Sequence, residues 1–121
     1  MLDPTPEGLA AERVFARELV TLCAGRDLLL YRLSSTRVFD GVKEQPYTEK
    51  DPLTPIGAHG ALQAELDQLL EAQCRRHLLL RFSWVLDSSP EGMLQRLVSQ
   101  LLAGDSVSLA EEWRGTPTPL E

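Results

Sequence analysis

Cysteine is scarce in this chain. Cys23 and Cys74 are the only two in 121 residues, and no CxxC or other metal-ligand spacing links them. A disulfide-stapled scaffold and a cysteine-based zinc site are thereby excluded. Both thiols are expected to be buried and free in a reducing cytoplasm, with a disulfide as the alternative. Basic clusters are missing too: none is longer than Arg75-Arg76, and the net charge is −6. That balance argues against nucleic acid or an anionic membrane surface as a partner. No apolar run nears membrane-spanning length, and no basic, then apolar leader opens the chain, so it reads as cytoplasmic. His59 and His77 lie eighteen residues apart with no HxxxH or HxH, and Asp40, Glu49 and Asp51 lack calcium-loop spacing. No metal site is expected. There is no GxSxG elbow to support a Ser35–His59–Asp87 hydrolase triad. The Gly-rich turn GxGxxG that seats a dinucleotide pyrophosphate at a helix N-terminus is also absent; Gly57-x-x-Gly60 is the nearest pair, and it follows a loop.

What is present suits one soluble α/β domain over residues 1–121, with 43% hydrophobic and 25% charged residues. Ala11, Phe15, Leu19 and Leu22 build a helical stripe, started by Thr5-Pro6-Glu7 and stopped at Gly25. Asp27 to Leu33 is short and continuously apolar, as a buried parallel strand requires. Residues 34–57 carry three prolines and little periodicity, and a loop of that length in a compact domain is usually functional. A second helix is predicted from about His59 to Arg75, with Leu62, Leu66, Leu69 and Leu70 on one side. A second strand follows from His77 to Leu86. Ser89-Pro90-Glu91-Gly92 starts a third helix that runs to about Ala103, with Leu94, Leu97, Val98 and Leu101 inward. Ser106 to Leu109 is a third strand, and Trp113 to Pro119 is loop. The order α-β-loop-α-β-α-β favours a partial Rossmann-like parallel sheet of about three strands with flanking helices.

The motifs sit at strand ends, where open α/β sheets place ligands. Ser34-Ser35-Thr36-Arg37-Val38-Phe39-Asp40-Gly41 leaves the first strand and is followed by Pro46-Tyr47-Thr48-Glu49-Lys50-Asp51-Pro52-Leu53-Thr54-Pro55. Leu80-Arg81-Phe82-Ser83-Trp84-Val85 ends the second strand, and Arg114-Gly115-Thr116-Pro117-Thr118 comes near the C-terminus. In combination these segments resemble the dTDP-4-dehydrorhamnose reductases and their sugar-nucleotide-binding relatives, the RmlD-like branch of the extended short-chain dehydrogenase/reductases. The likeness runs from about Leu19 to Pro119, the central portion of such an enzyme. It implies a nucleotide-sugar ligand and an NAD(P)-dependent family whose Gly-rich unit lies upstream of the segments present here.

The resemblance also implies a catalytic group of Ser or Thr, Tyr and Lys. Ser35 keeps the hydroxyl that would polarise a carbonyl, and it equally suits a strand-end cap. The Tyr position is His59 and the Lys position, one helical turn on, is Gln63. A neutral Gln cannot depress a neighbouring acid's pKa as a Lys cation does; His59 can exchange protons near neutrality or simply begin a helix. The substrate-facing positions implied are Arg37, Trp84, Arg114 and Thr116. For Arg37 a phosphate contact competes with plain solvation, and Trp84 suits a ligand or the core equally. The expectation is a degenerate reductase-like protein that binds a sugar nucleotide without turnover and holds no cofactor by itself. The alternatives are a regulatory or interaction module, with a homo-oligomer or a missing N-terminal part as partner, and a truncated piece of an active reductase.

Overall fold

In the computed structural model the described residues are 5–83, 85–86, 89–90, 92–108 and 118–119. The fold is α/β, and the chain divides into two compact units, Met1–Arg81 and Phe82–Glu121.

The first unit opens with helix α1, Pro6–Gly25. Thr5 caps it: its Oγ1 accepts from the Gly8 N–H at 3.1 Å, with Pro at the first helical position and Glu7 in the first turn. Such a cap is worth about 1 kcal/mol. The chain leaves the helix through Asp27, whose φ of 51° is left-handed, while Leu28 N–H donates to the Cys23 carbonyl at 2.9 Å. Asp tolerates that conformation better than most residues. Strand β1 (Leu30–Ser35), a 3₁₀ turn (Thr36–Val38), helix α2 (Gly57–Gln73) and strand β2 (His77–Phe82) follow. The two strands pair, and the helix between them makes the strand–helix–strand crossover that a parallel pair needs.

The core lies between α1 and α2. Ala16 packs with Leu62 and Leu66; Val20 and Cys23 pack with Leu70 and Cys74, with Leu30 and Leu79 of the sheet beneath. The buried stripe of α1 is therefore Ala16, Val20 and Cys23, one residue on from the expected Phe15, Leu19 and Leu22; Phe15 is 66% exposed. Adjacent apolar pairs satisfy the helical period in either register. The smaller members face α2 because they admit its leucines at close range. Both cysteines are buried free thiols. Burial pushes the Cys74 thiol up from its ordinary value, and Cys23 adds to the shift.

Arg13 Nε and Arg17 Nη2 each take one oxygen of Glu65 on α2, at 3.0 and 2.8 Å. The hydrogen bond from Arg17 chiefly holds the Glu65 carboxyl below its usual range. A lowered carboxyl stabilises the fold above the ordinary Glu range and loses that contribution as pH falls through the lowered value. The groups are substantially exposed, so Glu65→Gln should cost under about 1 kcal/mol in a urea titration at neutral pH, and nothing in strong acid.

Within this unit, the described helices cover the sheet on one side. Leu30, Arg32, Ser34, Leu79 and Arg81 are buried or half-buried, whereas Tyr31, Leu33, Leu78 and Leu80 are exposed, Tyr31 by 62% and Leu33 by 67%. The expectation of a strand buried on both faces is corrected: β1 carries the composition of one, but its described helices cover a single face.

In the second unit, β3 (Val85–Leu86) pairs in parallel with β4 (Thr118–Pro119), Val85 opposite Thr118. The run expected to continue to Leu86 thus breaks after Phe82. Helix α3 spans Met93–Leu102 and closes on Gly104, whose φ is 82°, with Asp105 N–H reaching the Gln100 carbonyl. Of its expected apolar stripe Leu97 is half-buried, whereas Leu94, Val98 and Leu101 are exposed. Ser106–Ser108 form no strand, and Leu109 lies outside the described residues. One valine between two serines gives a ladder little apolar surface to hold it.

Candidate functional site

The loop after β1 is tied down by its own polar groups. Ser35 Oγ accepts from the Arg37 N–H at 3.1 Å and caps the 3₁₀ turn. Val38, fully buried, anchors the turn, and its carbonyl accepts from Thr54 N–H at 2.9 Å. Asp40 Oδ1 accepts from Tyr47 Oη at 2.6 Å and from Val42 N–H at 3.2 Å, across Gly41 at a φ of 76°. These bonds, Tyr47's first, hold the Asp40 carboxyl below its ordinary value. Phe39 and Tyr47 stack at 4.3 Å between ring centroids. Lys43 Nζ grips both oxygens of Asp51 at 2.8 Å, and Asp51 also accepts from Thr48 N–H. Lys43 and then Thr48 lower the Asp51 carboxyl. The Val-Phe-Asp-Gly and Pro-Tyr motifs thus meet each other, closing a long loop with few residues.

A cleft of about 410 Å³ opens between this loop and the start of α2, lined by Leu9, Arg37, Phe39, Ile56, Gly57, Ala58 and His59. Helix α2 begins without a side-chain cap, at Gly57 with a φ of 71°. Gly60, one turn in, seats the helix on the 3₁₀ turn: a Cβ there would run into the Arg37 carbonyl oxygen and lie 3.5 Å from Pro55 Cβ. Arg37 and His59, singled out from the sequence, therefore share a wall, and Ser35 is bonded to the backbone of the same turn.

Gln63 has a different environment. It is buried; its Oε1 accepts from Arg32 Nη2 at 2.7 Å and its Nε2 donates to Glu12 Oε1 at 2.7 Å. Beside it Asp67 is fully buried, with Oδ1 accepting from Arg32 Nε at 3.1 Å and Oδ2 from Ser34 Oγ at 2.8 Å and Arg81 Nε at 3.2 Å. Sequence reasoning missed this network. Its signal was an arginine inside each apolar strand run, Arg32 and Arg81, since a charge carried into a core needs a partner. Trp84, Arg114 and Thr116 lie outside the described residues, as does Asp87. Among the described residues no three His, Cys, Asp or Glu side chains gather as metal ligands, and no helix is long and apolar enough to cross a membrane.

Comparison with known proteins places this geometry. The family described as the RmlD substrate binding domain matches residues 7–121. A dTDP-4-dehydrorhamnose reductase of Sinorhizobium fredii is 28% identical over 112 residues, covering 93% of this chain and 38% of that protein. A dTDP-4-keto-6-deoxy-D-glucose reductase of Streptomyces niveus is 29% identical over 104 residues, covering 85% and 36%. The crystal structure of a dTDP-4-dehydrorhamnose reductase from Clostridium acetobutylicum superposes with a TM-score of 0.77 at 21% identity, over 86% of this chain and 37% of that one. The Bacillus anthracis dTDP-4-dehydrorhamnose reductase in complex with NADP superposes with a TM-score of 0.65 at 20% identity, over 72% and 31%. The chain spans less than two-fifths of the length of each of these relatives.

Proposed function

The chain belongs to the RmlD substrate binding domain family, and from that premise we propose that it holds a sugar nucleotide in the Arg37–Phe39–His59 cleft without reducing it by itself. Arg37 is the phosphate-facing cation in this reading, because a guanidinium engages phosphate oxygens two at a time. Ser35 is the hydroxyl nearest the family's carbonyl-polarising role and His59 the group able to exchange a proton. Trp84, Arg114 and Thr116 are substrate-facing by the family resemblance alone, since they lie outside the described residues.

The observation that carries the non-catalytic part is the environment of Gln63. Carbonyl reduction needs a proton donor kept ready by a nearby cation. Gln63 is neutral, and both ends of its amide are engaged by Glu12 and Arg32. With the neutral Gln63 in place of the family's lysine, the residues present do not supply the cation that would hold the nicotinamide ribose of NAD(P).

The test is direct. The 121-residue chain, incubated with NADPH and a dTDP-4-dehydro-sugar, should leave NADPH absorbance unchanged while binding dTDP-glucose in calorimetry. Arg37→Ala should weaken that binding about tenfold, the scale of one charge-assisted hydrogen bond. Turnover would overturn the non-catalytic reading.

A second reading, an interaction or regulatory module, is favoured by the open apolar sheet face at Tyr31, Leu33, Leu78 and Leu80, a surface soluble proteins usually cover. Sedimentation as a monomer that binds no apolar dye would count against it. The third, a piece of an active reductase, is supported by the relatives' greater length. It is tested by searching the coding sequence upstream of Met1 for a strand–GxGxxG–helix unit.

A further inference from the structure

Asp67 aims two guanidinium groups, and they do different things. Arg32 turns toward Gln63. Arg81 lies over the Phe39 ring, its Cζ 5.5 Å from the centroid, within cation–π range. The two arginine side chains are similarly buried, 13% and 15% exposed, and each places its Nε on an Asp67 oxygen at nearly the same distance. The Phe39 ring in turn lines the cleft, stacks on Tyr47 and, through Tyr47 Oη, reaches Asp40. An unbroken chain of contacts therefore runs from a buried carboxylate on α2, through β2, to the wall of the cleft and the loop that closes it.

We propose that Arg81 is a positioning residue: held by Asp67, it fixes the Phe39 ring as the cleft wall and thereby orders the loop from Asp40 to Asp51. The role suits arginine. A guanidinium is planar and keeps its orientation when one edge is hydrogen-bonded, so its face stays against the ring; an ammonium is a compact, strongly hydrated charge with no face to present. Desolvation by the surrounding strands strengthens the attraction to the ring beyond that of an exposed pair. The cleft's shape then depends on a residue that does not line it. This assignment rests on the reading of the cleft as the ligand site, but the loop order it predicts can be measured without ligand.

The experiment compares Arg81→Lys with Arg32→Lys in the full chain. Both variants leave a cation beside Asp67, and only one of the two positions touches Phe39. Two quantities are read: the rate of tryptic cleavage after Lys43 and Lys50 relative to cleavage after Arg17 in α1, and the affinity for dTDP-glucose. Arg81→Lys should raise the cleavage ratio about tenfold and weaken binding to a similar degree, whereas Arg32→Lys should change either by less than about twofold. Phe39→Leu should raise the ratio as well, and adding Arg81→Lys to it should bring little more, because the two share one interaction. Equal responses at positions 81 and 32, or no response at 81, would overturn the proposal, since a merely structural ion pair would treat both arginines alike. If the wild-type chain does not bind dTDP-glucose, the sugar-nucleotide reading fails and the cleavage ratio alone decides the role of Arg81.

Discussion

Replacing Asp67 by asparagine is expected to lower the unfolding free energy by about 3–5 kcal/mol, read as a drop in the urea midpoint with an unchanged slope. The shape of the side chain is kept, so almost none of this is packing. What is lost is the anion that two nearly buried guanidinium groups share, Arg32 and Arg81. Ser34 loses the charge on its acceptor as well. Arg32 retains the Gln63 carbonyl oxygen, but Arg81 keeps only the Phe39 ring among the contacts described above. The penalty belongs to breaking the cluster rather than to its net worth. Exchanging Asp67, Arg32 and Arg81 together for apolar residues of similar volume should cost much less than Asp67→Asn alone. A loss below about 1 kcal/mol for Asp67→Asn would show that water or neighbouring groups compensate the arginines.

Gly60→Ala is expected to destabilise by about 1–3 kcal/mol, with the sign more telling than the size. In an ordinary helix interior the same change stabilises by about 1 kcal/mol, because Ala loses less backbone entropy. Gly60 is buried on α2, and its missing Cβ is the space taken by the carbonyl of Arg37, a backbone group that cannot swing aside. Either α2 or the 3₁₀ turn must shift, and both line the cleft. Gly25, with nothing within 4 Å of a Cβ, is the control: Gly25→Ala should be neutral or slightly stabilising. If both substitutions behave alike in thermal unfolding, the close approach at Gly60 is not what holds the helix start.

Much of the fold was legible in the residues. Thr5-Pro6-Glu7 begins a helix because a hydroxyl, a fixed φ and an acidic first turn serve the unpaired N–H groups locally, and the structure places all three there. The helix–strand alternation and its α/β class follow from the same short-range rules. Other features were not local. Whether Phe15 or Ala16 faces inward was undecided by periodicity, because adjacent apolar residues satisfy it equally; the leucines of α2 decided it by the room they require. The stripe of α3 was correctly periodic, yet periodicity does not say whether a partner exists: Leu94, Val98 and Leu101 stand exposed and Leu97 is half-buried.

The candidate site divides in the same way. Chain chemistry alone determined that Ser35, Arg37 and His59 are the groups on offer near the first strand's end, and that a neutral Gln63 stands one turn beyond His59. Only the tertiary structure decided where they point. His59 lies on the cleft wall with Arg37, while Gln63 sits inside between Glu12 and Arg32. A helix carries residues four apart along one side but sets their surroundings by what packs there: loop and open cleft at His59, α1 and β1 at Gln63. The arginines of β1 and β2 show the limit most plainly. Their charge inside apolar runs announced that a partner was needed, and the partner, Asp67, lies 35 and 14 residues away in sequence. Long-range pairing of that kind is chosen by the geometry of the crossover, which no short stretch of chain contains.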